Sequence, residues 1–148
     1  MERTIYFDMD GTIANLYGVR NWLTYLQNED ATPYIQALPM VDIESFTKVI
    51  NILQSHGMKI GIISWLSKFS TADYAVKVTM AKMNWLRNYM NDIHFDEIHI
   101  IPYGTPKQRY GTCNDILFDD ELSNRENWNG IAYDVENIVE TLVRMVGI

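Results

Sequence analysis

The chain has one cysteine in 148 residues, Cys113, and only four prolines. A lone thiol excludes an internal disulfide, so the fold must rest on its core. Lysine and arginine are scarce too, 12 against 19 aspartates and glutamates, for a formal net charge of -7. That balance argues against binding a nucleic acid polymer or an anionic membrane, both of which need a basic surface. It leaves room for a small charged ligand held at a local cationic point. No apolar run approaches membrane-spanning length, and there are no repeats or low-complexity tracts. With no apolar leader before the first strand-like residues, cytoplasmic residence is the expectation. The histidines His56, His94 and His99 lack metal-ligand spacing and read as structural or surface residues. Cys113 reads as a small apolar filler. Oligomeric state has no signature in the chain.

What is present is a 47% apolar share, 12% of the residues being aromatic, enough to bury the core of a single domain over residues 1–148. Strand-like runs fall at 3–7, 59–64, 97–101, 115–118 and 130–133, separated by helical periodicity, which is the alternation of a parallel α/β sheet. Asp42 is placed to cap a helix carrying Phe46, Val49, Ile50 and Leu53, with Gly57 just beyond it. A second helix over 71–90 has Val76, Met80, Met83, Leu86 and Met90 as its inner stripe. A last helix starts from Asp134 as cap and carries Val135, Ile138, Val139, Leu142, Val143 and Val146. Residues 13–40 are surplus to the sheet: Leu16, Val19, Leu23 and Leu26 suggest one amphipathic helix, and Pro33 and Pro39 an extended return.

Chemistry concentrates where strands end. Tyr6-Phe7 runs into Asp8-Met9-Asp10-Gly11-Thr12, two carboxylates two positions apart at a glycine turn that lets both converge. Such a pair is either a solvated turn or a site where a cation, proton or ligand offsets the repulsion. Gly61-Ile62-Ile63-Ser64 is a strand ending in a hydroxyl, Gly104-Thr105-Pro106-Lys107 frames a lysine with turn residues, and Ile116-Leu117-Phe118 ends in Asp119-Asp120. Acid-x-acid, serine, lysine and paired acids, in that order, resemble the four motifs of the haloacid dehalogenase (HAD) superfamily of phosphotransferases. Within it, Phe7 to Asn15 and Ile116 to Asp120, followed by Asn124 and Trp128, are similar to the 5'(3')-deoxyribonucleotidase branch.

The resemblance implies a three-layer fold with strand order 3-2-1-4-5 and 13–40 as a very small cap insertion. It also implies a nucleophile at Asp8, an acid-base at Asp10, a mainly structural Thr12, and phosphate contacts from Ser64, the Trp65 N–H and Lys107. Read alone, Ser64 could equally end its strand and Lys107 could be a loop lysine; Thr105 and Pro106 would start a short helix at Lys107. Four acids against Lys107 leave three negative charges before a phosphate arrives. Each like-charge pair at ~4 Å costs about 4 kcal/mol at an effective dielectric of ~20. Mg²⁺ answers this need, held by Asp8, Asp119 and the Asp10 carbonyl, with Asp120 acting through water or orienting Lys107.

The expected ligand is a small phosphorylated metabolite, with nucleoside or deoxynucleoside monophosphates first. Tyr17, Trp22 and Tyr25 of the insertion either line the core or touch substrate, and Trp65 could stack a base. The insertion is shorter than that branch's helical lid. A sugar-phosphate phosphatase and a non-catalytic binding module on the same fold are the alternative readings. A response-regulator receiver fits poorly, because its acceptor strand would end His99-Ile100-Ile101-Pro102.

Overall fold

The computed structural model describes residues 2–147. Seven strands and six α-helices follow one another as β1 (Thr4–Phe7), β2 (Ala14–Asn15), α1 (Trp22–Gln27), α2 (Thr32–Gln36), β3 (Leu38–Pro39), α3 (Ile43–Ser55), β4 (Lys59–Trp65), α4 (Ala72–Tyr89), β5 (Glu97–Ile101), β6 (Ile116–Phe118), α5 (Leu122–Asn127), β7 (Ile131–Tyr133) and α6 (Ile138–Met145). The main sheet is parallel with order β5-β4-β1-β6-β7, so counting its five strands along the chain gives 3-2-1-4-5. This is the HAD-like arrangement. β1 lies at the centre, and the tips of β1, β4 and β6 point the same way, into the crevice that a parallel sheet opens at its carboxyl end.

Ile5 and Phe7 face one layer and Tyr6 the other, as the period of two requires. Phe7 stacks on Phe118 at 5.1 Å and meets Phe46 edge-on at 5.2 Å, joining the two central strands to α3. Each such fully buried side chain contributes about 1.5–3 kcal/mol. Asp42 caps α3 by accepting from Ser45 N at 3.0 Å, and Gly57 beyond the helix takes φ 90°, both as expected.

Three expectations about helices fail for identifiable reasons. Of the stripe expected on α4, Leu86 and Met90 are buried, but Val76 and Met80 are 59% and 60% exposed, and the inner face is Tyr74, Val78, Ala81, Lys82, Trp85 and Leu86. The stripe is displaced because it runs through a lysine, which apolar periodicity passes over. The last helix begins at Ile138, not Asp134. The Asp134 carboxylate accepts from the Val135 N–H at 2.7 Å and lies 3.5 Å from Arg125, serving the loop instead of the helix. The insertion holds two short helices and a two-stranded ribbon, β2 with β3, instead of one helix and an extended return. Pro33 lies in the first turn of α2, where its missing N–H has no helical partner to lose, and Leu23 is 50% exposed. Cys113 is exposed and fills nothing.

The insertion is fastened to α4 and the loop before it. Trp85 Nε1 donates to the Ala37 carbonyl at 2.8 Å, Tyr74 donates its hydroxyl proton to the Asp30 carbonyl at 3.0 Å, and Tyr34 and Thr71 hydrogen bond to Ser67 and Glu29. Among the described residues no helix is long and apolar enough to cross a membrane.

Candidate active site

The first motif closes into a tight turn. The Met9 carbonyl accepts from the backbone N–H groups of Thr12, Ile13 and Ala14 at 3.0, 3.0 and 2.9 Å, and Gly11 turns through φ 80°. A Cβ on Gly11 would stand 2.4 Å from an Asp120 oxygen and 2.9 Å from the Tyr17 ring, so the position requires glycine twice over. The turn brings Thr12 back onto Asp8: its hydroxyl donates to Asp8 Oδ2 at 2.9 Å and approaches Asp120 Oδ1 at 3.4 Å.

Oxygens of Asp8, Asp119 and Asp120 lie within 4.8 Å of one another. Lys107, 2% exposed, bridges two of these acids, donating to Asp8 Oδ1 at 2.9 Å and Asp119 Oδ2 at 2.7 Å. Asp119 also accepts from the Glu121 N–H at 2.9 Å and from Asn124 Nδ2 at 3.2 Å. Lys107 begins a four-residue 3₁₀ turn. Thr105 does not cap it; its hydroxyl donates to the Pro102 carbonyl at 2.7 Å. The expected short helix thus starts at Lys107 but as a 3₁₀ turn without the Thr105 cap, and the two carboxylates take the ammonium's hydrogen bonds.

The Asp10 carboxylate belongs to a different partner. Lys82 of α4, 1% exposed, donates to Asp10 Oδ2 at 2.9 Å, to Ser64 Oγ at 2.6 Å and to the Trp65 carbonyl at 2.7 Å. All three ammonium protons are thereby used. Ser64 is fully buried and accepts from Lys82, which leaves its own hydroxyl proton to donate. Trp65 sits alongside, its Nε1 donating to the Thr105 carbonyl at 2.8 Å and its ring 5.2 Å from the Lys107 ammonium.

Sequence reasoning missed Lys82. The available signal was a charged residue in the stripe Tyr74, Val78, Ala81, Trp85, where burial of a cation demands an acid partner. Counting it, four carboxylates face two lysines, leaving two negative charges instead of three. The remaining deficit is visible in the acids. Burial, with Asp8 nearby, pushes Asp119 up to about 6 and Asp120 up to about 8. Burial also raises Asp10, against the pull of Lys82. Lys107 is held well above the ordinary lysine range by Asp8 and Asp119, which outweigh the opposing effect of its burial.

Of the insertion residues, Tyr17 reaches the site. It is 48% exposed, borders Gly11, and has its hydroxyl raised by burial and by Asp10 and Asp120. Trp22 meets Tyr17 edge-on at 4.9 Å. Tyr25 lies in α1, which buries no residue fully, and makes no hydrogen bond or ring contact with the acids among the described residues. The histidines stand elsewhere: His99 pairs with Glu97 at 2.8 Å and His94 lies 3.6 Å from Asp96.

No family model matches the sequence, and no curated protein matches it. Among solved structures, D,D-heptose 1,7-bisphosphate phosphatase from Burkholderia thailandensis superposes with a TM-score of 0.56, covering 99% of each chain at 7% sequence identity. At that identity the similarity is one of fold, and it extends over the whole chain.

Proposed function

We propose that the protein is a phosphomonoester hydrolase working through an aspartyl-phosphate on Asp8. The observation that carries this reading is the gathering of Asp8, Asp119 and Asp120 within 4.8 Å around a buried Lys107, with Asp10 held separately by Lys82. A fold that is full-length similar to a phosphatase supports it.

The placement of groups supports the following reaction. An oxygen of Asp8 attacks phosphorus as the bond to the leaving oxygen breaks, and Asp10 gives that oxygen its proton. Burial, by raising Asp10, favours the protonated form this step requires. Water then attacks the acyl phosphate, Asp10 takes its proton back, and phosphate and free Asp8 are released. Lys107 and the Ser64 hydroxyl supply hydrogen bonds to the phosphoryl oxygens, and Lys82 adds positive charge nearby. Lys82 also fixes the Asp10 side chain, a positioning role.

The carboxylates suit Mg²⁺, because every donor is a hard oxygen and two negative charges remain uncompensated. Asp8 and Asp119 would hold it with the Asp10 carbonyl. Asp120, whose oxygen falls within the same 4.8 Å group, becomes a direct ligand in this reading. Bound there, the ion offsets the charge on the phosphoryl oxygens and on the attacking carboxylate.

For substrate we propose a small phosphomonoester free in solution, with nucleoside or deoxynucleoside monophosphates first on the strength of the nucleotidase-like first and last motifs. The test is hydrolysis across nucleoside monophosphates, sugar phosphates and an aryl phosphate with Mg²⁺, then with chelator. Turnover that needs Mg²⁺ and fails in Asp8→Asn supports the reaction. No turnover of any phosphomonoester would favour a non-catalytic binding module.

A further inference from the structure

The chain leaving Ser64 builds a second wall beside the acids. Trp65 lies against Lys107, and Tyr103 packs on Trp65 with ring centroids 5.0 Å apart, so a continuous row of side chains runs outward from Asp8. Next to it opens a cleft of about 380 Å³, bounded by the 66–72 segment and by Pro102 and Tyr103. It lies at the carboxyl ends of β4 and β5, on the same edge of the sheet as the acids. Its volume is in the range of sites that enclose small organic groups.

Folding alone does not account for the rim of this cleft. Phe69 is 91% exposed, the most exposed of the large apolar side chains described, and Tyr103 is 49% exposed. Phe69 also holds φ 58°, a left-handed conformation sterically disfavoured for a bulky L residue. Lys68 places its ammonium 5.3 Å from the Phe69 ring centroid and 5.8 Å from that of Tyr103. It has no carboxylate partner among the described residues, unlike Lys59, Lys82 and Lys107. Trp65 cannot serve as the stacking surface, since Lys107 and Tyr103 already lie against it. Trp22 and Tyr17 meet edge-on at 77° and leave no slot between them.

We propose that this cleft is the leaving-group subsite, that it takes a flat ring with an electron-rich or anionic edge against Phe69 and Tyr103, and that Lys68 contacts that edge. The proposal rests on the phosphomonoester reading for the position of the phosphate, and it makes Phe69, Tyr103 and Lys68 determinants of specificity outside the catalytic machinery. Each is exposed enough to be replaced without disturbing the core.

The test uses two ligands that cannot be hydrolysed, phenylphosphonate and methylphosphonate, titrated calorimetrically into the protein with Mg²⁺. The expected result is at least tenfold tighter binding of phenylphosphonate, reduced about tenfold in Phe69→Ala and in Tyr103→Ala and retained in Phe69→Tyr and Tyr103→Phe. Binding of methylphosphonate should be unchanged throughout. A 4-carboxyphenylphosphonate should lose more affinity in Lys68→Gln than phenylphosphonate does. Equal affinity for the phenyl and methyl ligands, or a preference untouched by the alanine variants, would overturn the subsite even if the enzyme hydrolyses phosphomonoesters. A protein that shows the preference but hydrolyses nothing would instead contradict the reaction while supporting the subsite.

Discussion

Two buried lysines divide the site into halves that work differently. Lys107 comes from a short turn between β5 and β6 and hydrogen bonds only to carboxylates, Asp8 and Asp119. Lys82 comes from the middle of a long helix and spreads its protons over one carboxylate, one hydroxyl and one carbonyl. The first half concentrates opposite charge around Asp8 and Asp119. The second half fixes the orientation of the Asp10 carboxylate and ties it to the Ser64 strand end. Charge is shared between the halves, but partners are not: Lys82 has one carboxylate and two neutral acceptors, Lys107 two carboxylates.

The largest effects should fall on the Lys107 half. Asp8→Asn should abolish turnover, because an amide cannot form the acyl phosphate, while the far-ultraviolet spectrum stays native. In the Lys82 half, Asp10→Asn should be severe with ordinary esters and milder with an aryl ester whose leaving group needs no proton, and the ratio of the two kcat values measures this.

The lysines themselves sharpen the contrast. Removing one partner of a buried ion pair leaves an uncompensated charge and costs about 3–5 kcal/mol. Lys107→Met and Lys82→Met should therefore both lower stability in urea denaturation. Lys82→Met should lose kcat by roughly 10²-fold, the scale of one acid-base contribution. The double variant Lys82→Met with Asp10→Asn should recover stability without recovering turnover. Recovery of both would contradict the acid-base role of Asp10.

These differences also explain how much could be read in advance. All five main-sheet strands were legible, since buried β-runs are local signals, whereas their order followed from the resemblance to the HAD superfamily and not from periodicity. Asp8, Asp10, Ser64, Lys107, Asp119 and Asp120 were named because acids, a hydroxyl or a lysine at a strand end or turn are local signals too, and the structure brings them together at one end of the sheet. Lys82 was not legible, because its meaning depends on which face of α4 turns inward, a tertiary fact. The start of α6 was misplaced because Asp134 satisfies its own loop. The insertion was misread because its helices are too short to show a period.

Acidity provides a smaller test, centred on the Lys107 half. Asp119 at about 6 and Asp120 at about 8 lie above their unfolded values near 4, so without metal the folded state keeps protons that the unfolded chain has lost. Stability of the metal-free protein should then fall as pH rises from about 4 to about 8. Mg²⁺ competes with those protons, so its stabilising effect should be larger at pH 8 than at pH 6, as a thermal shift would record.

The smallest effect should come from the insertion. Trp85→Phe removes the hydrogen bond to the buried Ala37 carbonyl and leaves a small cavity, at a cost of about 1–3 kcal/mol, or roughly 2–12 °C in Tm. Because this bond fastens the insertion and not the acids, kcat should stay within about twofold of the parent value.

The account stands most directly on where the phosphoryl group goes. Rapid quenching of the protein during turnover of an aryl phosphate with Mg²⁺, followed by peptide mass spectrometry after borohydride reduction, locates an acyl phosphate as a reduced aspartate. The account predicts that the label falls on Asp8 alone and is absent without Mg²⁺. A label on another residue, or turnover that persists in Asp8→Asn, would contradict it.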